Sequence, residues 1–313
     1  MSAVFHHFRG IYATEFTAAM NRRCSQATMY IQHFGLAQYP FSLTPNTRYF
    51  LKLPSHQQAF DLLIAALDGE SSFAKITGEV GTGKTMLCRK VLNSLEFHKN
   101  RFVTAYIPHP ILSEEGMVRA IVEELSIERE SNLSYYELLK VLTEAIVNFS
   151  REDKRVILFI DEAQAMPEET LATVNLLTNI ETQNPNPLQV VLFGQPELDE
   201  LLERPMLDKI KRDLAFSFVL PALDRDGVEA YVAHRLRKAG YSGPHMFTKK
   251  AVNLLYDGSQ GIPRLINVLS HKALMVAFGK GEQVIDEQYI GDAIKDTESA
   301  RQKQSFAARL LKK

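Results

Sequence analysis

The chain has 313 residues, enough for about two domains of ordinary size, each with its own hydrophobic core. With 45% hydrophobic and 23% charged residues, its composition excludes a disordered, collagen-like or disulfide-scaffold protein and is typical of a soluble globular one. The formal net charge of -1 provides no overall attraction to nucleic acid or anionic lipid, and we therefore do not expect nucleic acid among the partners.

Neither the apolar runs nor the cysteines indicate a membrane-spanning or secreted protein. No apolar run approaches the roughly 18 residues of a membrane-spanning helix, and the N-terminus has no apolar segment followed by a cleavage site. Cys24 and Cys88 lack metal-ligand spacing, which favours two reduced thiols. We therefore expect a cytoplasmic protein.

The first part of the chain is weakly patterned. Residues 1–28 lack core character, and we expect them to be a dispensable extension. The segment from Tyr30 to Pro45 is aromatic and rich in turn residues, which predicts an arm packed on a core rather than a strand or helix. A helix is predicted at about Ser55–Leu67, with Ser55 as its N-cap.

Short apolar runs then alternate with helical stretches. The predicted strands are Phe73–Thr77, Phe102–Ile107, Val156–Ile160, Leu188–Phe193 and Phe216–Leu220. The predicted helices between them are Lys84–Leu95, Glu114–Leu125, Tyr135–Phe149 and Pro167–Ile180. Buried strands that alternate with helices predict an α/β domain, here residues 29–223, whose parallel sheet is covered by helices on both faces.

The pattern becomes purely helical from Asp224 onward. Helix breakers are predicted at Gly240–Pro244, Gly258–Pro263 and Gly279–Gly281. These signals predict a small all-helical domain over residues 224–298, followed by a basic tail over 299–313.

A glycine-rich segment, GEVGTGKT, follows the first predicted strand and opens a predicted helix. This is the context of a phosphate-binding loop, in which backbone amides turn toward the phosphates and the helix N-terminus adds partial positive charge. Lys84 would reach the outer phosphates, and the Thr85 hydroxyl would bind Mg2+. The alternative is a glycine turn with a surface lysine. The expected nucleotide-binding residues are Gly78, Glu79, Val80, Gly81, Thr82, Gly83, Lys84, Thr85 and Met86.

A second signal, a pair of acidic residues, follows the apolar strand Val156–Ile160. Asp161, at the tip of that strand, would hold Mg2+ together with Thr85, and Glu162 would orient and polarise the attacking water. Alone, the pair could be an ordinary acidic turn. Combined with the upstream loop, it predicts catalytic ATP hydrolysis.

Five segments carry a resemblance to one family when they are taken in this order: Phe34-Gly35-Leu36, Gly78–Thr85, Asp161–Gln164, Gly194–Leu198 and Gly261–Asn267. They resemble the ExeA (GspA)-type AAA+ ATPases, and within them the members that serve the MSHA pilus. The resemblance covers about Tyr30 to Asp296. It implies a P-loop NTPase of AAA+ type, with a five-stranded parallel sheet, a helical lid, ATP and Mg2+ held between them, and ATP-dependent oligomers with shared sites.

The resemblance also implies roles for residues outside the loop. Gln195 resembles a polar sensor near the outer phosphate, although a simple turn residue is the alternative. Arg264, preceded by Pro263, resembles a lid arginine that contacts the same phosphate, although a helix-surface charge is the alternative. The arm Phe34–Pro45 resembles the segment that lies near the adenine, and aromatic packing on the core explains it equally well.

The sequence departs from the family in two places. Relatives carry an arginine shortly before the last strand, where it reaches a neighbouring subunit's phosphate. Here that position holds Asp213, with Arg212 one residue earlier and Arg204 as a weaker substitute. The alternative for each arginine is an ordinary solvated surface charge. Family members that span the membrane and bind peptidoglycan continue well beyond the ATPase module, so this chain resembles the short, soluble members.

Three functions remain open. The resemblance implies an ATPase that drives or regulates assembly of a type IV-like (MSHA) pilus or a secretion apparatus. Its partners would be ATP and ADP, further copies of itself, and machinery proteins at the inner membrane, where it would associate peripherally. The alternatives are a DNA-associated AAA+ ATPase of the transposition-targeting or loader type, and a nucleotide-dependent binding module with negligible turnover.

Overall fold

The computed structural model describes residues 29–44, 46–51, 53–69, 71–128, 132–181 and 186–300. The expected extension over residues 1–28, the thiol Cys24 and the basic tail from Arg301 onward lie outside the described residues. The chain divides into two compact units. The sheet unit is Pro45–Ala222, and the helical unit combines the residues up to Thr44 with those from Leu223 onward.

The sheet unit contains one five-stranded parallel sheet, in the order β2-β3-β4-β1-β5. Its strands are β1 (Phe73–Thr77), β2 (Phe102–Ile107), β3 (Arg155–Ile160), β4 (Leu188–Gly194) and β5 (Leu214–Val219). The central strands β3 and β4 are almost wholly buried, because helices cover both of their faces. The expected five-stranded parallel sheet is confirmed, and the predicted strand bounds differ from the observed ones by two residues at most.

Helices cover both faces of this sheet and contribute to two apolar clusters. They are α1 (Pro54–Asp68), α2 (Lys84–Leu95), α3 (Glu114–Glu124), α4 (Tyr135–Arg151), α5 (Glu168–Thr178), α6 (Glu197–Leu202) and α7 (Asp208–Asp213). The predicted N-cap of α1 is wrong: Leu53 occupies the cap position without a side-chain bond, and Pro54 begins the helix. Proline suits the first helical turn because its φ is already helical and it has no N–H to be capped.

The helical unit contains α8 (Arg225–Lys238), α9 (Lys249–Ser259), α10 (Pro263–Lys280) and α11 (Glu287–Lys295). Side-chain caps begin three of these helices, with Asp224 before α8, Thr248 before α9 and Asp286 before α11. The helix break predicted at Gly258–Pro263 is confirmed, because α9 ends at Ser259 and α10 begins at Pro263. Gly258 lies buried within α9, where a Cβ atom would come within 2.5 Å of the Ile294 side chain, so this glycine permits close helix packing.

Residues 29–44 belong to the helical unit, whereas the sequence analysis assigned them to the nucleotide-binding domain. Residues 29–33 are helical, in contrast to the predicted irregular arm. The buried Tyr30 ring packs edge-on against Phe278 of α10, with ring centroids 6.2 Å apart. The Arg235 guanidinium of α8 donates hydrogen bonds to the carbonyls of Pro40 and Ser42. These aromatic and charged contacts explain why the segment groups with the helices.

Within the described residues, none of the helices has both the length and the apolar character needed to cross a bilayer.

Candidate functional site

Three segments that the sequence predicts to form the nucleotide site meet at one edge of the sheet. Gly78 follows β1, Asp161 follows β3 and Gln195 follows β4, and these three strands are neighbours in the order β3-β4-β1. Because all the strands are parallel, their carboxyl ends lie at the same edge, which is where parallel α/β sheets bind ligands.

The loop between β1 and α2 has the backbone of a phosphate cradle. Gly81 and Gly83 adopt φ of 87° and 104°, values that side chains rarely permit. At Gly78 a Cβ atom would lie 2.7 Å from the Leu220 carbonyl oxygen, so only glycine fits. The Thr82 hydroxyl donates to the Glu79 carbonyl at 2.9 Å and closes the turn. These glycines and this hydrogen bond define the shape of the loop.

Lys84 lies folded into this loop rather than in solvent. Its ammonium is buried and donates to the carbonyls of Gly78, at 2.8 Å, and Glu79, at 3.1 Å. Burial lowers the pKa of Lys84, and the nearby carboxylates of Glu162 and Asp161 act in the opposite direction. A buried ammonium whose hydrogen-bond partners are neutral carbonyls is suited to pairing with an anion such as a phosphate.

A hydroxyl and a carboxylate form the candidate metal site. Thr85 Oγ1 donates to Asp161 Oδ2 at 2.7 Å, and Tyr106 of β2 donates its hydroxyl to the same oxygen at 3.3 Å. The other Asp161 oxygen accepts the backbone N–H of Glu162 at 3.0 Å. Mg2+ prefers such oxygen donors and keeps several waters, so this pair fits Mg2+ bound next to a nucleotide phosphate. Among the described residues there is no cluster of three or more His, Cys, Asp or Glu side chains that could hold a metal by itself.

Glu162 has an unusual backbone and two amide partners. It adopts φ of 53°, in the left-handed region, directly after the buried Asp161. Its Oε2 accepts hydrogen bonds from Gln164 Nε2 at 2.8 Å and from Gln195 Nε2 at 3.1 Å. Partial burial raises the pKa of Glu162, but these hydrogen bonds and the positive charge of Lys84 outweigh it, and the net pKa is lowered. Glu162 is therefore ionised at neutral pH, as a group that polarises water must be.

Sequence reasoning missed two residues that support the site. Tyr106 is the penultimate residue of β2, and nothing in its position along the chain indicated a hydrogen bond to Asp161 at the end of the neighbouring strand β3. His56 lies buried in α1, and its Nε2 donates to the Thr82 carbonyl of the loop at 3.1 Å. Burial lowers the pKa of His56. The only sequence signal for it was a polar residue among the apolar positions of an amphipathic helix.

The structure places the remaining candidates in three locations. Gln195 is half-buried at the site, and Met86 is half-buried in the first turn of α2. Arg212 is exposed on α7, immediately before β5, and the first residue of β5 pairs with Phe73 at the start of β1. It therefore lies at the sheet edge opposite the loop of the same chain. Pro263 and the exposed Arg264 open α10 of the helical unit.

The alternative arginine is already paired. Arg204 donates to Glu168 Oε2 at 3.0 Å. The loop residues, Asp161, Glu162 and Gln195 are thus assembled within the sheet unit.

Comparisons with known proteins agree with this geometry. Residues 67–202 match the family model of an AAA domain. General secretion pathway protein A from Aeromonas hydrophila is 37% identical over 257 residues, an alignment that covers 82% of this chain and 46% of that protein. The chain thus spans less than half the length of this relative.

Two solved structures share the fold. The ORC2 protein of Aeropyrum pernix, solved in ADPNP and ADP complexes, matches with a TM-score of 0.60 and 18% identity, over 83% of this chain and 71% of that one. Cdc6p of Pyrobaculum aerophilum matches with a TM-score of 0.62 and 19% identity, over 79% and 67%. The AAA domain and the homology support ATPase activity. The chain thus contains an AAA domain over residues 67–202, has the P-loop NTPase fold of AAA+ type, and is similar in sequence to General secretion pathway protein A.

Proposed function

We propose that this protein binds ATP with Mg2+ at the loop Gly78–Thr85 and hydrolyses it to ADP and phosphate. The observation that carries this proposal is that the buried ammonium of Lys84, the Thr85–Asp161 pair and the ionised Glu162 converge at one sheet edge. Lys84 binds the outer phosphates, and Glu162 orients the attacking water. Gln195 contacts the outer phosphate from the end of β4. These are the separate tasks that phosphoryl transfer to water requires.

Thr85 and Asp161 hold the Mg2+ in this proposal. When bound, the ion neutralises the charge that develops on the phosphoryl group and its leaving oxygen. The chain contributes the orientation of the two oxygens, because the hydrogen bond between them and the Tyr106 hydroxyl hold the Asp161 carboxylate in one position.

The proposal also assigns roles to two arginines outside the phosphate loop. Arg264, in the first turn of α10, acts as the lid arginine that contacts the outer phosphate, with Pro263 shaping the start of that helix. Arg212 lies at the opposite sheet edge, so in the proposal it serves the site of a neighbouring copy in an ATP-dependent oligomer.

The proposed biological role is to drive or regulate assembly of a secretion apparatus or of a type IV-like (MSHA) pilus at the inner membrane. The pilus form of this role rests on the resemblance of the sequence to the MSHA pilus biogenesis protein MshM. Its support is the homology to a protein named for the general secretion pathway. The partners would be machinery proteins of that apparatus. A DNA-associated ATPase is the second candidate. A structure that shares the fold, the ORC1 protein of Aeropyrum pernix, was solved in complex with DNA and motivates testing this role.

Two substitutions test the ATPase proposal. Lys84→Ala should abolish binding of a fluorescent ATP analogue, because it removes the ammonium that pairs with the phosphates. Glu162→Gln should keep binding and lower phosphate release by about a hundredfold or more, since that carboxylate acts mainly in the transition state. The matched controls are the exposed residues Lys99→Ala and Glu96→Gln, which should behave as wild type. Unchanged turnover in Glu162→Gln would contradict the assignment.

Duplex DNA separates the two biological roles. We expect the ATPase rate near physiological salt to be the same with and without duplex DNA. A several-fold increase that disappears as salt is raised would favour the DNA-associated role, because counterion release makes protein–DNA affinity fall steeply with salt.

A further inference from the structure

Gln164 uses both ends of its side-chain amide at the candidate site. Its Nε2 donates to Glu162 Oε2 at 2.8 Å, and its Oε1 accepts the backbone N–H of Gln195 at 3.0 Å. The side chain of Gln195 donates to the same Glu162 oxygen at 3.1 Å. The three residues therefore close a ring of hydrogen bonds between the segment after β3 and the segment after β4.

The surrounding backbone leaves this ring little freedom. Gln164 lies in the short helical turn Ala163–Ala165, directly after the left-handed Glu162. On the other side, a Cβ atom added to Gly194 would lie 3.2 Å from Gln164 Oε1 and 2.7 Å from Leu198 Cδ2. Because Gly194 has no side chain, the Gln164 amide has room between the two segments.

We infer that Gln164 is a positioning residue, which holds the Glu162 carboxylate in its hydrolytic orientation by tethering it to the backbone of β4. The inference rests on the proposed ATPase function and adds a residue to it. The glutamine amide carries a donor and an acceptor on one planar group, so it can bond Glu162 and Gln195 at once. A glutamate at this position would keep the acceptor for Gln195 but lose the donor to Glu162. A methionine would lose both.

The first test compares Gln164→Met and Gln164→Glu with wild type in steady-state ATP hydrolysis. We expect Gln164→Met to lower kcat by about tenfold while KM changes less than about twofold, because a misplaced carboxylate affects the transition state more than binding. Gln164→Glu should lower kcat further, since it places a second negative charge beside Glu162. Gln58→Met, the same change on the exposed surface of α1, should leave kcat unchanged.

Two further measurements distinguish positioning from a general structural role. In the Glu162→Gln background, Gln164→Met should lower the remaining single-turnover rate by less than about twofold, because residues that act through one another are non-additive. Without nucleotide, hydrogen exchange of the Gln195 amide should be faster in Gln164→Met and unchanged in Gln164→Glu, which keeps the acceptor.

The outcomes are separable. ATP hydrolysis that depends on Glu162 but is unaffected in both Gln164 variants would overturn this inference alone. An equal fold-loss in the wild-type and Glu162→Gln backgrounds would also overturn it. Absence of hydrolysis by the wild-type chain would overturn the proposed function and this inference with it. If Gln164→Met unfolds, the isosteric Gln164→Glu still decides, because wild-type turnover in a folded Gln164→Glu protein contradicts the inference.

Discussion

At the scale of single residues, Glu162 shows how a strained backbone and a stabilised charge occur together. A left-handed φ on a residue with a side chain costs about 1–3 kcal/mol and persists only where the surroundings enforce it. In this residue the backbone N–H donates to Asp161 Oδ1, and the carboxylate accepts hydrogen bonds from the amides of Gln164 and Gln195, which lower its pKa. The left-handed backbone and the stabilised charge therefore lie in one residue at the candidate site.

The Tyr106 hydroxyl should matter for Mg2+ rather than for the nucleotide itself. Tyr106→Phe removes one of the hydrogen bonds that orient Asp161 Oδ2. We expect the Mg2+ concentration at half-maximal hydrolysis to rise about three- to tenfold, the scale of one ordinary hydrogen bond. Binding of ATP without Mg2+ should be unchanged. Tyr136→Phe, which alters an exposed tyrosine, is the control; an unaltered Mg2+ dependence in Tyr106→Phe would contradict the role.

His56 should make folding stability depend on pH. Its pKa is lowered by burial, so in mildly acidic solution the unfolded chain binds a proton that the folded chain does not. Stability from this group is complete above its ordinary pKa and is lost as pH falls toward the lowered value. We expect the advantage of wild type over His56→Gln in urea unfolding to shrink as the pH falls from about 7.5 to about 5.5. An advantage that stays constant over that range would contradict this prediction.

At the scale of secondary-structure elements, the turn before α10 is held by a backbone contact that only glycine permits. Gly261 has φ of 71°, and its carbonyl accepts the Leu223 N–H at 2.9 Å. A Cβ atom there would lie 1.9 Å from the Leu223 carbonyl oxygen. Leu223 directly precedes the Asp224 cap of α8, so this contact joins the starts of two helices of the helical unit.

Gly261→Ala should therefore destabilise the helical unit. Both the steric overlap and the left-handed backbone oppose a side chain, and we expect a loss of about 2–4 kcal/mol. Gly279→Ala is the matched control: Gly279 lies exposed within α10, with open space around its Cα, so alanine should be neutral or stabilise by about 0.5–1 kcal/mol. Thermal unfolding followed by circular dichroism measures both. Equal melting temperatures for the two variants would contradict the steric argument.

At the scale of the whole molecule, the position of Arg212 bears on whether the proposed site is complete within one chain. Arg212 and the phosphate loop lie at opposite edges of the same parallel sheet. An arginine so placed cannot reach its own loop without rearrangement of the sheet unit, and a second copy could present it from outside. A role for Arg212 in the site therefore requires a second copy, and ATP-dependent self-association remains a prediction of the proposed function.

Mixing of variants tests this arrangement. Arg212→Ala should lower turnover sharply with little change in ATP affinity, because an arginine that acts on the transferred phosphoryl contributes mainly in the transition state. Lys84→Ala chains lack a working site but keep Arg212, so adding them to Arg212→Ala chains should restore part of the activity. Arg151→Ala, an exposed arginine on α4, should not alter turnover. No restoration in the mixture would indicate a site that is complete within one chain.

The sequence by itself determined the strands, the phosphate loop and the acidic pair, because each depends on neighbours along the chain. Runs of apolar residues specify buried strands, and successive glycines specify the turn between β1 and α2. Local signals were less reliable where proline intervened, as at the N-cap of α1. Roles that followed from resemblance, such as that of Arg264, remain predictions.

Only the tertiary structure decided which side chains support the site and where the aromatic segment packs. Tyr106, His56 and Gln164 contact groups on other elements, and the geometry of a hydrogen bond across a sheet or between a helix and a loop leaves no periodic trace in the sequence. Residues 29–44 pack on helices that come more than a hundred and fifty positions later in the chain, as the bond from Gln38 to the Lys238 carbonyl shows with its separation of 200 residues. Such long-range pairings depend on shape and polarity that match only after the elements have formed.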